Sequence, residues 1–336
     1  MELEPIEPET AVELYLADRE PELRSVTLNS HRSRLGFFVE WCADRGIDNL
    51  NELTGRKLNE YRLWRRNDGD LAPASENCQM DTLRVFVRWL ESIDGAQQDL
   101  HQKVRSPAVG RDEGSRDEML EAEEAKKVLT YLETYGYASP QHVTLSLLWH
   151  TMIRRGAAHG LDVDDYHPED QCLEIIHRPE TETPIKNGKR GERFVALSGD
   201  FCNLLDDYLR DQRHDVEDDH GRRPLLTSAH GRVARSTIGK YCYRWTRPCV
   251  YDNDCPHDRD PDACEAVNTR KWSACPSSLS AHPFRRGSIT HQLKEDVPET
   301  AVGGRANVSQ DILEKHYDQR TKREKMEQRR QYLDKI

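Results

Sequence analysis

Ser280-Ala281-His282-Pro283-Phe284-Arg285-Arg286-Gly287-Ser288-Ile289-Thr290-His291 decides how this chain is read. It places an imidazole and a guanidinium three residues apart, a spacing that puts both on one side of a helical turn. Further on, Lys315-His316-Tyr317-Asp318 supplies a phenol near the end of the sequence. A phosphodiester can be cut without metal or water by a nucleophile, cations on two non-bridging oxygens, and a proton donor for the leaving oxygen. The H-x-x-R spacing alone arises by chance in chains of this length, so its meaning depends on whether the other parts occur in order.

The 336 residues have room for two domains, with 36% hydrophobic and 32% charged residues. No apolar run approaches the roughly 20 residues of a membrane span. The start, Met1-Glu2-Leu3-Glu4-Pro5, is acidic and lacks a signal-peptide pattern, so a cytoplasmic protein is expected. The net charge of −11 argues mildly against nucleic acid. A basic groove can still coexist with acidic faces. An acidic surface with few aromatics is also the habit of proteins in salt-saturated cytoplasm, which hints at a halophilic archaeon.

Residues 1–95 read as a bundle of about four helices. Ser25 is expected to cap a helix burying Leu35, Phe38, Trp41 and Cys42, and Thr54 a second with Leu58, Tyr61 and the basic pair Arg65-Arg66. Leu83, Phe86, Val87 and Leu90 line a third, and Glu9–Arg19 adds another. The basic residues suit phosphate or a plain solvated face. Residues 96–118 lose periodicity and read as a linker that would let two globular parts close around something long. From residue 119 to 336 a second domain is expected. It opens with an amphipathic helix stopped by Gly136 and a helix started by Pro140. The strands Cys172–Ile176 and Arg193–Leu197 flank a turn with Lys186, Asn187, Gly188 and Lys189.

In this order the motifs resemble those of the tyrosine recombinases, the phage-integrase family. Thr151-Met152-Ile153-Arg154 is similar to the family's Thr-Gly-Leu-Arg turn with its first catalytic arginine. Pro184-Ile185-Lys186-Asn187-Gly188-Lys189 resembles the lysine-bearing hairpin, and Pro224-Leu225-Leu226-Thr227-Ser228 a buried segment of the family. His282-Pro283-Phe284-Arg285 matches the H-x-x-R box and Tyr317 the nucleophile. The resemblance spans about residues 8–320. It implies a mainly α fold with a small β-sheet: an N-terminal helical (SAM-like) core-binding domain, then an α+β catalytic domain. Two positions depart from the family. Ala157 stands where the family often has Glu, and Arg305 falls in the stretch that usually carries a second histidine.

The resemblance implies a site-specific recombinase or integrase acting on double-stranded DNA as a homo-oligomer, with no cofactor for catalysis. Tyr317 would form a 3′-phosphotyrosine, which conserves bond energy so that strands reseal without ATP. Arg154 and Arg285 would clamp the non-bridging oxygens, because the planar guanidinium gives paired, charge-assisted bonds. Arg305 would replace the histidine as a phosphate-binding cation. Lys186, with Lys189 as the alternative, would protonate the departing 5′ oxygen. His282 would handle the tyrosine proton or bind phosphate. A DNA-binding descendant that no longer cuts is the competing reading, and the charged tail after Arg320 suits either a neighbouring protomer or solvent.

Residues 246–279 hold Cys249, Cys255, Cys264 and Cys275 in an insertion with little apolar content. A structural Zn2+ in a shell of four cysteines would fold it, with His257 as a spare ligand. Disulfides or unpaired thiols are the alternative. A zinc hydrolase is disfavoured because a closed four-thiolate shell leaves no open metal position. Cys42, Cys78, Cys172, Cys202 and Cys242 are expected to be buried and inert.

Overall fold

A computed structural model of the protein describes residues 3–108, 118–253, 255–318, 320–330 and 333. It divides into two units, Met1–Arg116 and Asp117–Ile336.

The first unit contains four helices: α1 (Pro8–Arg19), α2 (Ser25–Asp44), α3 (Gly55–Gly69) and α4 (Pro73–Ser92). Their apolar faces meet in an aromatic centre of Tyr15, Phe38, Trp41, Tyr61 and Phe86, all essentially buried. Phe38 meets Tyr61 edge-on at 5.2 Å and Tyr15 meets Phe86 at 5.4 Å, the preferred arrangement of aromatic quadrupoles. Thr54 caps α3 by accepting from the Lys57 N–H. Ser25 is not a cap: it is the first helical residue of α2, and Arg24 before it makes no side-chain cap bond. The basic pair in α3 is held internally. Arg66 and Arg62 bond the buried carboxylate of Glu76 at 2.8 and 2.6 Å. Arg65 donates to Gln79 and lies 3.8 Å from the centre of the Phe37 ring.

The expected linker begins too early at residue 96. Ala96, Leu100 and Val104 are buried in the first unit's core, and Leu100–Lys103 forms a short 3-10 turn. Of the remainder, residues 109–117 lie outside the described residues. Leu120 is already buried in the second unit.

That unit is built around two central helices, α6 (Pro140–Thr151) and α11 (Ala281–Lys294), with α5 (Ala122–Tyr135) against both. Pro140 supplies the fixed φ of a first turn, and Ser139 caps it by accepting from the His142 N–H. Val143, Leu145, Leu147 and Leu148 are all buried, so α6 is covered all round rather than on one stripe. α11 passes so close to the preceding chain that a Cβ on Gly287 would sit 1.9 Å from the Leu120 carbonyl oxygen. Only glycine fits there.

Beside the helices, α7 (Arg155–Gly160) leads to β1 (Tyr166–His167), β2 (Cys172–Ile175) and β3 (Arg193–Ala196), which pair antiparallel in that order. Leu173 faces Val195 across the ladder. α8 (Gly199–Asp207) ends in a π turn. Leu225 and Leu226 are buried ahead of the hairpin β4 (Thr227–Ser228) and β5 (Gly231–Arg232). α9 (Arg235–Trp245) and α10 (Pro248–Tyr251) lead into the cysteine-rich segment. After α11 come α12 (Glu299–Ala306), α13 (Gln310–His316) and α14 (Lys322–Arg330). The chain is thus mainly α with a small sheet, as read from the sequence. Among the described residues, no helix is long and apolar enough to cross a membrane.

Candidate active site

His282 and Arg285 occupy the first turns of α11, with the arginine pointing into the protein at 2% exposure. Thr151 ends α6, and Met152 then takes a left-handed conformation with φ of 54°. That turn sends the chain through Ile153 to Arg154, which stands as the extended residue before α7. A methionine in a position that favours glycine is strained. Its side chain is fully buried with Ile289, Leu293, Val302, Leu313 and Tyr317, and this burial offsets the strain. The residue that turns the chain toward Arg154 thus also packs in the cluster that holds Tyr317.

Tyr317 follows α13. Its ring is buried and its carbonyl accepts from the Thr290 hydroxyl of α11 at 2.7 Å. The guanidinium carbon of Arg285 lies 5.8 Å from the centre of that ring, within cation–π range. The His282 ring lies 5.9 Å away. Arg154 is close enough that its charge bears on Tyr317, Arg285 and His282. The phenol, two arginines and imidazole therefore share one place, although the sequence spreads them over three separate segments.

The last turn of α12 organises the cations. Arg193 Nε donates to the Arg305 carbonyl at 2.8 Å, Arg285 Nη2 to the Ala306 carbonyl at 2.7 Å, and Arg154 Nη1 to the Asn307 carbonyl at 3.2 Å. Three guanidiniums from three segments thus meet three consecutive carbonyls at the negative end of a helix. Arg285 Nη1 also bonds the Met152 carbonyl, while its Nε is buried without a partner. Among the described residues no carboxylate pairs with Arg154, Arg193 or Arg285. Burial and the nearby Arg154 charge pull Arg285 down to about 10, and burial with the Arg285 and Arg154 charges does the same to Arg193. Both still stay protonated at neutral pH. A cluster of like charges, Arg285 buried and Arg154 and Arg193 half-buried, balanced only by carbonyl dipoles is a place prepared for an anion.

The His282 imidazole is held below its ordinary value, first by desolvation and then by Arg285, Arg286, Arg154 and His316. It is therefore neutral at pH 7 and able to accept a proton. Lys186 and Lys189 lie in the turn between β2 and β3, both exposed. Asn187 there reaches Asn307 Oδ1 at 3.5 Å. The Arg305 guanidinium has other partners, bonding the carbonyls of Ala196 and His150. Arg193 stands nearer the two expected arginines, and the sequence reading did not single it out. Its signal was alternation: in β3 Val195 is buried and Phe194 exposed, so Arg193 shares the inward face with Val195. Ala157 is buried and brings no carboxylate.

All nine cysteines are free thiols. Cys42, Cys202 and Cys242 are buried, and burial pushes the Cys42 and Cys242 thiols up to about 12. The expectation of burial fails for Cys78, which is exposed on α4, and for Cys172, which is half-buried. In the insertion, Cys249 has Cys275, Cys255 and Cys264 as charge neighbours. Even so, among the described residues no three His, Cys, Asp or Glu side chains form a ready metal site. His257 bonds Ser277 at 2.8 Å. Protein contacts brace the segment: Arg247 bonds the Ala266 carbonyl, and Lys127 of α5 reaches Asp252 at 3.0 Å.

No family model matches the chain. The tyrosine recombinase XerD of Mycobacterium leprae (strain TN) is 26% identical over 212 residues, covering 59% of this chain and 62% of that protein. The match therefore spans less than two thirds of this relative. The N-terminal domain of a phage integrase/site-specific recombinase (tnp) from Haloarcula marismortui is 39% identical, over 31% of this chain and 99% of that domain, with a TM-score of 0.30. A lambda integrase tetramer bound to a Holliday junction is 14% identical, over 91% of this chain and 78% of that one, with a TM-score of 0.61. In sequence the chain is thus similar to tyrosine recombinases, and its mainly helical fold is that of the phage integrases.

Proposed function

We propose that the protein is a site-specific recombinase that cuts and rejoins double-stranded DNA through a covalent 3′-phosphotyrosyl intermediate. One observation carries this: a buried phenol lies under a guanidinium, within a cluster of arginines that only carbonyls neutralise. The Tyr317 oxygen attacks the scissile phosphorus as His282 takes its proton. The new O–P bond forms as the bond to the 5′ oxygen breaks, and Lys186 gives the departing oxygen a proton. Arg154 and Arg285 hold the non-bridging oxygens where charge develops. Arg305 contributes through its carbonyl and its bonds to Ala196 and His150 rather than through the phosphate. The lambda integrase tetramer on a junction supports action as a homo-oligomer on DNA, in the cytoplasm where that DNA lies.

A nicked duplex pool with randomised sequence tests this. The nick releases a short strand after cleavage and strands the adduct. Wild type is expected to accumulate a protein–DNA covalent complex, and Tyr317→Phe to form none. Absence of any adduct with wild type would instead favour a DNA-binding descendant that no longer cuts.

For the insertion, the proposal is a structural Zn2+ held by Cys249, Cys255, Cys264 and Cys275, which must draw closer than they stand. In support, Cys249 has the other three as neighbours, and Ala266 and Cys275 are the only buried hydrophobic residues among those described in the segment. Metal analysis of purified protein should find one zinc per chain, lost in Cys255→Ser. Metal-free, fully folded protein would rule it out.

A further inference from the structure

The lysine-bearing turn is not an isolated tip. Gly191, near its end, has no room for a side chain: a Cβ there would lie 2.6 Å from the Lys186 carbonyl oxygen and 2.9 Å from Asn307 Nδ2. The Lys186 backbone, Gly191 and the Asn307 side chain therefore meet in one spot. Asn187 also reaches Asn307, and the Asn307 carbonyl takes Arg154.

Arg193 closes this connection from the other side. Its Nη1 donates to the Gly191 carbonyl at 2.8 Å and its Nε to the Arg305 carbonyl at 2.8 Å. One guanidinium thus spans the end of the lysine turn and the carbonyl row that carries Arg285 and Arg154. Arg193 is half-buried, and covering an arginine with no carboxylate partner is costly. A plain structural tie between two carbonyls could be made by a neutral side chain. An arginine here adds the planar fork that fixes both acceptors in one geometry.

We propose that Arg193 is a positioning residue: it ties the Lys186 turn to the Arg305–Asn307 carbonyl row and so presents the lysine to the departing 5′ oxygen. This rests on the reading of Lys186 as the acid for that oxygen. A general acid placed about an ångström wrong forfeits much of its effect.

The test uses the full chain and the duplex recovered from the randomised pool, made in two forms. One carries oxygen and the other sulfur at the bridging 5′ position of the scissile phosphate. A thiolate leaves without being protonated, so sulfur removes the need for the acid. Arg193→Gln should cut the oxygen substrate roughly 10²–10³-fold slower, within the range a general acid supplies, and cut the sulfur substrate within about tenfold of wild type. Arg193→Lys, which keeps the charge but reaches one carbonyl, should behave in the same way. Equal slowing on both substrates by both variants, or no slowing on oxygen, overturns the proposal; the first outcome would assign Arg193 to the phosphate or the fold. Lys186→Ala separates the two readings. Rescue of Lys186→Ala by sulfur without rescue of Arg193→Gln defeats the positioning role alone. Failure of sulfur to rescue Lys186→Ala defeats the assignment of the acid, and this inference with it.

Discussion

Arg285→Lys is expected to slow adduct formation by roughly 10²–10³-fold, the usual loss when one donor to a developing charge is removed. The arginine is almost fully buried and spends Nη2 on Ala306 and Nη1 on Met152 while Nε remains without a partner. Lysine keeps the charge. It has a single ammonium, which cannot hold two carbonyls and a phosphate oxygen from one planar fork. Single-turnover cleavage of the recovered duplex measures this, with DNA affinity measured in parallel. Affinity is expected to change far less than rate, since the loss is felt mainly in the transition state. A rate within about threefold of wild type would mean that Arg285 is structural.

The second large effect is on stability. Arg320 bonds the Asp318 carboxylate at 2.7 Å, Glu299 at 2.6 Å and Gln328, and Lys325 adds a bond to Asp318 at 2.8 Å. The Asp318 side chain is fully covered. Gln328 of α14 also donates to the Leu293 carbonyl of α11. The tail helix is therefore fastened to its own chain directly after Tyr317. Arg320→Ala leaves Asp318 half-paired and should cost about 3 kcal/mol, since breaking a buried pair strands the remaining charge. For a unit of this size that is a melting-temperature loss of roughly 6–12 °C. Burial pushes Asp318 up, but bonds from Arg320 and Lys325 outweigh it and hold the carboxyl down at about 2. A depressed carboxylate contributes stability above its unfolded value near ~4. That contribution vanishes as pH falls through about 2. The gap between wild type and Arg320→Ala should therefore be full at pH ~7 and narrow steadily below pH ~4. A gap that does not change with pH would mean that lost packing, not the ion pair, sets the cost.

Local patterns in the sequence account for much of what the structure contains. Helix periodicity placed α1 to α4 and the shared helix of His282 and Arg285, because those signals depend only on neighbours three and four apart. The apolar residues Ala96, Leu100 and Val104 also repeat every four, but Gly95 and the surrounding Gln and Asp residues hide the pattern, so this stretch of core has the composition of a linker. Cys78 sat in a helical pattern whose buried face the sequence did not assign correctly. The carbonyl row at Arg305–Asn307 was illegible for a different reason. It is made of backbone groups whose partners lie in three distant segments, and no residue type at those positions announces it. Arg305 stands out in the sequence as a cation, yet its carbonyl is what meets the arginine cluster. Arg193 sits in a strand whose sequence signals only fold, and nothing local marks its charge as part of the cluster.

Protease digestion of the trapped wild-type adduct, followed by mass spectrometry of the nucleotide-bearing peptide, tests the central claim most directly. The prediction is a 3′-phosphate joined to Tyr317 and to no other residue. A nucleotide on a different tyrosine, or on a serine or histidine, would contradict the account.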